Sequence, residues 1–328
     1  MSVPLLLALS VEFGLGTADL LRIIGTAPAR YKVYSIPKRN GGARVIAQPS
    51  RELKDIQRFI LRDTLSKLPV HDSATGYVNG RNIRENAQVH VDANNILKLD
   101  FRDFFPSITV GDWRRYAKKS NLNIPVDELS LYSRILFWGR GSYDPKCLSI
   151  GTPTSPTLSN LILFELDEKL SQAATERGVR YTRYADDITV SGERIEDLIR
   201  FEATARATVS RLKSPQLTFN EEKRGIYTNG QRRMVTGLVI TPTATISLGR
   251  QRKRLISTML HKVKIGELDP VKTGKLKGLL GFCLANEPSF VTIMRQKYGN
   301  AVVDHVLRFA IPRRLAVPPG PPRPPAGT

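Results

Sequence analysis

The stretch Tyr181-Thr-Arg-Tyr-Ala-Asp-Asp-Ile-Thr-Val-Ser191 places two adjacent carboxylates between two strand-like runs. The runs 181–184 and 188–191 are rich in aromatic and β-branched residues, which predicts a strand, a tight turn and a second strand. Asp186 and Asp187 are then expected at the tip of a hairpin. Neighbouring carboxylates repel each other unless a cation neutralises them, and oxygen ligands favour a hard divalent ion such as Mg²⁺. An ordinary Asp-rich turn is the alternative.

A second acidic stretch upstream favours the metal site over the ordinary turn. Asn95-Ile-Leu-Lys-Leu-Asp100 is apolar like a buried strand and ends on an acid. A strand that delivers Asp100 beside the hairpin would make a three-carboxylate site able to hold two metal ions. Two such ions can activate an attacking oxygen and stabilise a leaving phosphate oxygen during in-line phosphoryl transfer. The two stretches together indicate polymerase chemistry.

Four motifs carry a family resemblance. Tyr184-Ala-Asp-Asp187 resembles the YxDD motif of reverse transcriptases, and Asp100 with Phe104-Phe105-Pro106 resembles their first palm motif. Asn86-Ala-Gln-Val-His90 matches the NAxxH box of retron reverse transcriptases, and Val235-Thr-Gly237 matches their VTG triplet. By order of motifs, the resemblance to the bacterial retron enzymes covers roughly residues 30–310.

The resemblance implies an α+β right-hand polymerase with fingers, a palm made of an antiparallel sheet with helices, and a helical thumb. The Pro-rich end of the chain cannot form a core and is expected to be extended or disordered. The expected divisions are an N-terminal helical extension at 1–30, fingers at 31–95, the first part of the palm at 96–113, a fingers or palm insertion at 114–147, the second part of the palm at 148–242, the thumb at 243–312 and the Pro-rich tail at 313–328.

The activity that the resemblance implies is that of an RNA-directed DNA polymerase, a nucleotidyltransferase. Its template would be a cognate structured non-coding RNA, which also primes synthesis from a 2′-hydroxyl. The product would be branched multicopy single-stranded DNA (msDNA), as part of an antiphage defence system. Two Mg²⁺ ions would be held by Asp100 and Asp186, with Asp187 contributing to the cluster. The expected partners are this RNA and its msDNA, deoxynucleoside triphosphates (dNTPs), an effector or toxin protein, and a host ribonuclease H, because no ribonuclease H region is recognisable after the thumb.

Two other functions remain open from the sequence. One is a scaffold that binds msDNA and RNA and restrains an effector toxin. The other is a reverse transcriptase like those of group II introns, although no endonuclease region is recognisable beyond the VTG strand. The intact acids Asp100, Asp186 and Asp187 favour synthesis over binding alone.

Five residues are candidate contacts for the incoming dNTP. The stretch 31–46 predicts a hairpin with a basic tip suited to a triphosphate, although an exposed solubilising turn is the alternative. The resemblance implies a ring beneath the nucleotide sugar that rejects a 2′-hydroxyl, and a lysine near the leaving pyrophosphate. Ile150 stands where many relatives have a glutamine that could bond to the nucleotide. The five candidates are Lys38, Arg44, Phe105, Gly151 and Lys223.

The charge of the chain favours a polyanionic partner. With 50 Lys and Arg against 30 Asp and Glu, the net charge is +20 and the pI about 10.2. A basic amphipathic helix is expected after Gly249, for which an anionic membrane surface is the lesser alternative. The candidate nucleic-acid contacts are Arg250, Arg252, Lys253, Arg254 and Lys262 from this helix, and Asn86, His90, Val235, Thr236 and Gly237 from the two boxes. For Asn86 and His90 a satisfied core network is equally favoured.

Composition bounds the remaining possibilities. The 328 residues, 41% of them hydrophobic, suffice for a sizeable core and one multi-lobed unit. Two cysteines and four histidines cannot build a zinc cluster or disulfide framework, which suits the reducing bacterial cytoplasm. The apolar opening at 3–11 lacks the basic region of a signal peptide and is too short to cross a bilayer, so no membrane association is expected.

Overall fold

The structure is a computed structural model that describes residues 4–37, 41–120, 122 and 124–310. Lys38 and the Pro-rich tail at 313–328 therefore lie outside the described residues. The chain divides into two compact units. The first runs to Thr236 and includes 240–244, and the second comprises 237–239 and the chain from Thr245 onward.

Helices and antiparallel strands are mixed along the described chain, which gives the α+β class that the sequence predicts. In chain order the elements are α1 (Leu5–Phe13), α2 (Thr17–Thr26), β1 (Tyr31–Pro37), β2 (Ala43–Pro49), α3 (Arg51–Asp63), α4 (Ile83–Gln88), β3 (Asn95–Asp100), α5 (Phe104–Ser107), α6 (Val110–Lys119), α7 (Val126–Leu136), α8 (Ser155–Ile162), α9 (Phe164–Thr175), β4 (Arg180–Tyr184), β5 (Asp187–Gly192), α10 (Ile195–Arg211), β6 (Gly225–Tyr227), β7 (Arg233–Val235), β8 (Leu238–Ile240), β9 (Ile246–Ser247), α11 (Arg250–Lys264), α12 (Pro270–Asn286), α13 (Pro288–Tyr298) and α14 (Asn300–Arg308).

A four-stranded sheet in the order β4-β5-β3-β6 organises the first unit. Each neighbouring pair is antiparallel, and α9 and α10 pack against the sheet. Strand β3 is almost wholly buried because it lies between two neighbours and beneath helices. Its apolar run was the sequence signal for a buried strand.

The largest buried side chains of the first unit form one continuous hydrophobic core, which includes Trp113, Phe101, Phe137 and Phe201. Burying a large apolar side chain stabilises a fold by about 1.5–3 kcal/mol. The core therefore fixes β3, β4 and β5 firmly enough to hold polar side chains at their ends in set positions.

The ends of three helices follow local features of the chain. Gly16 takes the N-cap position of α2, Thr17 is the first residue of this helix, and no side chain caps it. Helix α8 ends at Ile162, and α9 begins at Phe164. Ser155 and a proline form the first turn of α8.

The described part of the second unit is mainly helical, and its four helices α11 to α14 pack against one another. The sequence predicted α11 from its apolar stripe, of which Ile256, Met259 and Leu260 are buried. Within the described residues, no helix combines the length and apolarity that a bilayer crossing requires.

Candidate active site

The tip of the β4–β5 hairpin carries the predicted acidic pair. Tyr184 and Asp187 are opposed in the strand register, so Ala185 and Asp186 form the loop between them. Ala185 has φ of +58°, a left-handed conformation that a two-residue hairpin loop needs and that costs energy for an alanine. The hairpin predicted from the sequence is present, and the strained residue stands directly before the first acid.

The register of β3 brings the third carboxylate to the same place. Asp100 is the antiparallel partner of Asp187, and the backbone N–H of Phe101 donates to the carbonyl oxygen of Asp186 at 3.1 Å. Burial, together with the Asp100 carboxylate, raises the pKa of Asp186. Burial also raises the pKa of Asp187, which Lys98 partly offsets. The three acids thus form one electrostatically coupled cluster with excess negative charge.

Two lysines partly neutralise this cluster. Lys98 Nζ lies 2.7 Å from Asp187 Oδ2, and Lys223 Nζ lies 2.8 Å from both carboxylate oxygens of Asp100. The two cations differ in freedom, because the Lys98 side chain is 21% exposed on a central strand and that of Lys223 is 52% exposed on a turn. Three acids against two ammonium groups leave room for further positive charge.

The donor set fits a hard divalent cation, because it consists of carboxylate oxygens in a partly buried site. No group of three or more His, Cys, Asp or Glu side chains in the described residues already has the spacing of a metal site. Asp100 and Asp187 are each engaged by an ammonium group. A cation at this cluster would compete with Lys98 and Lys223 for the same oxygens.

A buried ion pair supports the turn from behind. Arg183 and Asp167 are both fully buried, and Arg183 Nε donates to Asp167 Oδ1 at 2.8 Å. A second nitrogen, Nη1, donates to the carbonyl oxygen of Ala185 at 3.1 Å. The same nitrogen also donates to Asn160 Oδ1 at 3.2 Å. The guanidinium therefore connects α8, α9 and the strained loop residue.

Comparison with known proteins places this geometry in a family. The family described as "Reverse transcriptase (RNA-dependent DNA polymerase)" matches residues 36–259. The retron Ec83 reverse transcriptase of Escherichia coli is 34% identical over 291 residues, covering 88% of this chain and 93% of that protein. The chain belongs to the bacterial retron reverse transcriptases.

Two further similarities have lower coverage of the matched protein. The retron Mx65 reverse transcriptase of Myxococcus xanthus is 35% identical over 264 residues, covering 77% of this chain and 60% of that protein. A solved foamy viral protease-reverse transcriptase in complex with double-stranded DNA matches with a TM-score of 0.47 and 14% identity, over 84% of this chain and 43% of that chain.

As a retron reverse transcriptase, the chain is an RNA-directed DNA polymerase. Membership of this family brings RNA and DNA as partners and a general dependence on divalent metal. The acidic cluster at the β3 and β5 ends presents carboxylate oxygens, a donor type that suits such a metal.

The NAxxH box of the retron enzyme is buried, which corrects the prediction that Asn86 and His90 contact nucleic acid. The His90 ring nitrogens hydrogen-bond to Ser191 Oγ at 2.7 Å and Thr182 Oγ1 at 2.8 Å, on β5 and β4. Burial lowers the pKa of His90 to about 3, so the ring is neutral. Asn86 Oδ1 accepts from Thr75 Oγ1 at 2.9 Å. Of the two interpretations from the sequence, the core network is the one the structure supports.

The three residues of the VTG triplet differ in burial. Val235 is fully buried, which corrects its prediction as a nucleic-acid contact. Thr236 and Gly237 are half-buried with φ of +46° and +84°, and Thr236 Oγ1 donates to the carbonyl oxygen of Ile83 at 3.1 Å. That bond ties the triplet to α4 and thus to the NAxxH box.

The basic residues of α11 fall into two groups. Arg250, Arg254 and Lys262 are exposed, as phosphate contacts require. The other two are engaged within their own unit. Arg252 lies over the Phe282 ring at 4.7 Å, and Lys253 bonds to Glu287. Those engagements compete with phosphate binding.

The residues predicted to contact the dNTP differ in exposure and in backbone conformation. Arg44 is exposed on β2, and Phe105 is half-buried on α5 with its ring 5.2 Å from that of Phe104. Gly151 has φ of +123°, and a Cβ there would lie 2.9 Å from the carbonyl oxygen of Ala47. Glycine is thus required where this loop meets β2, whatever else the loop contacts.

Two residues beside the acids were not identified from the sequence. Lys98 was taken only as part of an apolar strand, although its i, i+2 spacing from Asp100 on a strand puts both on one face. Tyr77 is 51% exposed with φ of +62°, and its ring lies 5.8 Å from that of Tyr184. Its pKa is raised by burial and by the Tyr184 and Asp186 charges, and lowered by Arg44. Gly76 beside it leaves no room for a Cβ, which would lie 2.9 Å from Ala185 N.

Proposed function

We propose that this retron enzyme copies a cognate structured RNA into branched msDNA, starting from a 2′-hydroxyl of that RNA, with Asp100, Asp186 and Asp187 as the catalytic acids. The similarity to the retron Ec83 enzyme over nearly the whole of both chains supports the retron part of the proposal. The coupled acidic cluster at the strand ends supports the chemistry. The antiphage role, an effector protein and a host ribonuclease H belong to the same proposal.

Two Mg²⁺ ions bound at the acids would supply activation of the primer hydroxyl and charge neutralisation at the triphosphate. The residues of the chain perform the remaining tasks. The carboxylates of Asp100, Asp186 and Asp187 would bind the cations. Arg44 and Lys38 would contact the triphosphate, and Phe105 and Gly151 would line the site of the sugar and base. The fingers, palm and thumb, at the divisions expected from the sequence, are part of this proposal.

Lys223 has a specific place in the proposed reaction. Its ammonium group neutralises Asp100. Its turn is held from both sides, because Asn220 N donates to the Asp100 carbonyl oxygen at 2.7 Å and Arg224 Nη2 donates to Glu202 Oε2 at 2.7 Å. If Asp100 held a cation in place of this contact, Lys223 would be able to meet the phosphates of the nucleotide and the leaving pyrophosphate.

To test the msDNA proposal, the gene is expressed with its flanking DNA, and small nucleic acids are run on a denaturing gel before and after ribonuclease treatment. A discrete DNA band that runs faster after ribonuclease, and is absent in an Asp186→Asn variant, supports the proposal. An Asp55→Asn variant is the matched control, because Asp55 is a surface acid on α3. If no band forms although the purified enzyme extends a primer on RNA, the enzyme is a polymerase and the msDNA proposal fails.

The same variant separates synthesis from a scaffold role. Asp186→Asn removes one charge from the cluster and leaves the exposed basic residues of α11 unchanged. The scaffold alternative predicts that this variant keeps both RNA binding and biological activity. Loss of the biological activity together with the DNA band would favour synthesis.

A further inference from the structure

A groove on the first unit lies apart from the acidic cluster. It encloses about 620 Å³ between α6, the junction of α8 with α9, and the segment that follows α10. This volume falls in the range of ligand sites, about 300–1,000 Å³. No residue that lines it belongs to β3, β5 or the hairpin loop. We refer to it below as the α6–α9 groove.

The floor of the α6–α9 groove is apolar. Leu161 and Ile162 are buried beneath it, and Tyr116, Phe164 and Leu212 are half-buried at its sides. Two of these five side chains are aromatic, and each shows part of a ring to the groove. Such a surface accepts a flat, weakly polar group such as a nucleobase.

The rim of the groove is basic. The lining side chains include five cations, Arg115, Lys119, Lys169, Arg211 and Lys213, against the two acids Asp112 and Glu165. This excess of positive charge surrounds an apolar floor, and that combination selects an anionic ligand with an apolar part.

The two acids are already satisfied within the protein, which leaves part of the rim free. Glu165 pairs with both Lys119 and Lys169. Asp112 Oδ2 accepts from Thr109 N and Oγ1, each at 2.7 Å, and its other oxygen accepts from Ser214.

Three of the rim cations belong to α6 and to the segment at the end of α10, and within the described chain two of them, Arg211 and Lys213, are free of carboxylate partners. Among the described residues, no carboxylate lies within ion-pair distance of Arg211 or Lys213, and both side chains are exposed. Arg115 Nη1 donates to the carbonyl oxygen of Lys213 at 3.1 Å and lies 4.0 Å from Asp112 Oδ1, so Arg115 is adjacent to Lys213. Exposed guanidinium and ammonium groups of this kind bind phosphates of a nucleic-acid strand.

We infer that the α6–α9 groove binds an unpaired segment of RNA, with a base against Tyr116 and Phe164 and the adjacent phosphates on Arg115, Arg211 and Lys213. The choice of RNA rests on the proposed function, in which the template is larger than the active site. It also rests on the net charge of +20 and on the aromatic sides of the groove. A second RNA site would hold one unpaired part of the template RNA while the acidic cluster copies another part.

The test measures the binding of a short fluorescein-labelled oligouridylate by anisotropy at several salt concentrations. An Arg211→Gln/Lys213→Gln variant removes two phosphate contacts. The slope of log Kd against log salt should therefore fall by about 1.4, at about 0.7 per contact for a single strand. The matched control is Arg22→Gln/Arg200→Gln, which removes the same charge from exposed positions on α2 and α10. Equal slopes for the two variants would overturn the inference.

A crosslinking experiment tests whether a nucleobase lies against Tyr116 and Phe164. An oligouridylate that carries 4-thiouridine should crosslink to the peptides 112–120 or 161–169, and a Phe164→Leu variant should reduce the yield several-fold. Crosslinks confined to other peptides would overturn the inference. So would groove-dependent binding of a glutamate- and leucine-rich peptide with unchanged RNA binding, which would make the groove a protein-docking site.

Primer extension on a homopolymer template separates this inference from the proposed function. The groove variant should keep normal extension of poly(rA)·oligo(dT), because the acidic cluster is intact. If it keeps extension and loses groove-dependent binding of RNA, the inference is supported. If the wild type makes no msDNA but its RNA binding still depends on the groove, the proposed function fails and the groove assignment stands.

Discussion

Replacing Arg183 by methionine tests how the fold holds the catalytic turn. The side chains of Arg183 and Asp167 are fully buried, so the substitution leaves the Asp167 carboxylate in the core with only the Tyr181 hydroxyl, which donates to it at 2.7 Å. Removing one partner of a buried ion pair destabilises a protein by about 3–5 kcal/mol. At about 2–4 °C per kcal/mol for a unit of this size, the melting temperature should fall by roughly 6–20 °C.

The double variant Arg183→Met/Asp167→Leu gives a different expectation. Replacing both members of a buried pair by apolar side chains of similar size is about neutral for stability. The double variant should therefore recover most of the lost melting temperature. It still lacks the hydrogen bond to the carbonyl oxygen of Ala185, and a charged hydrogen bond contributes about 1.5–3 kcal/mol. The kcat for primer extension should then stay at least tenfold below wild type, with little change in KM for the dNTP.

The assay combines thermal unfolding with steady-state extension of a primer on RNA for the two single variants and the double variant. The double-mutant cycle isolates the coupling between Arg183 and Asp167. The reasoning would be refuted if each single variant lost less than about 1 kcal/mol. If the stable double variant recovered the full wild-type kcat, only the positioning role of Arg183 would be refuted, and its contribution to stability would stand.

Four further outcomes are expected. Asp186→Asn should abolish primer extension, because it removes one of the proposed catalytic acids. Because burial raises the pKa of Asp186, its ionised form destabilises the fold above its ordinary pKa, so the same variant should also melt at a higher temperature than wild type at neutral pH. The pKa of His90 is lowered to about 3, so the free energy of unfolding should fall as the pH drops below about 6.5. In acid denaturation, a His90→Gln variant should show a pH dependence that is smaller by up to about 1.4 kcal/mol per pH unit. Tyr77→Ala should raise KM for the template–primer several-fold in steady-state extension, whereas Tyr77→Phe should not. Gly151→Ala should lower the free energy of unfolding by about 1–3 kcal/mol in denaturant unfolding, because the new Cβ would meet the Ala47 carbonyl oxygen.

Much of the site could be predicted because its signals are local. The strand, turn and strand around Asp186 follow from residue preferences and alternation, and the apolar run before Asp100 predicts a buried strand. The roles of Asn86 and His90 could not be decided in this way. Both motif membership and polarity are compatible with a nucleic-acid contact, and only burial between β4 and β5 distinguishes a bracing role from a binding role.

The sequence by itself determined the family, the α+β class, the acidic turn and the basic charge of the chain, because each depends on residue type and short-range spacing. Tertiary structure decided which side chains meet: Asp100 with Asp187 and Lys223, Arg183 with Asp167, and His90 with Ser191. Several of these partners are about a hundred residues apart along the chain. Their pairing depends on strand register and on core packing, which bring distant segments together and which no local pattern encodes.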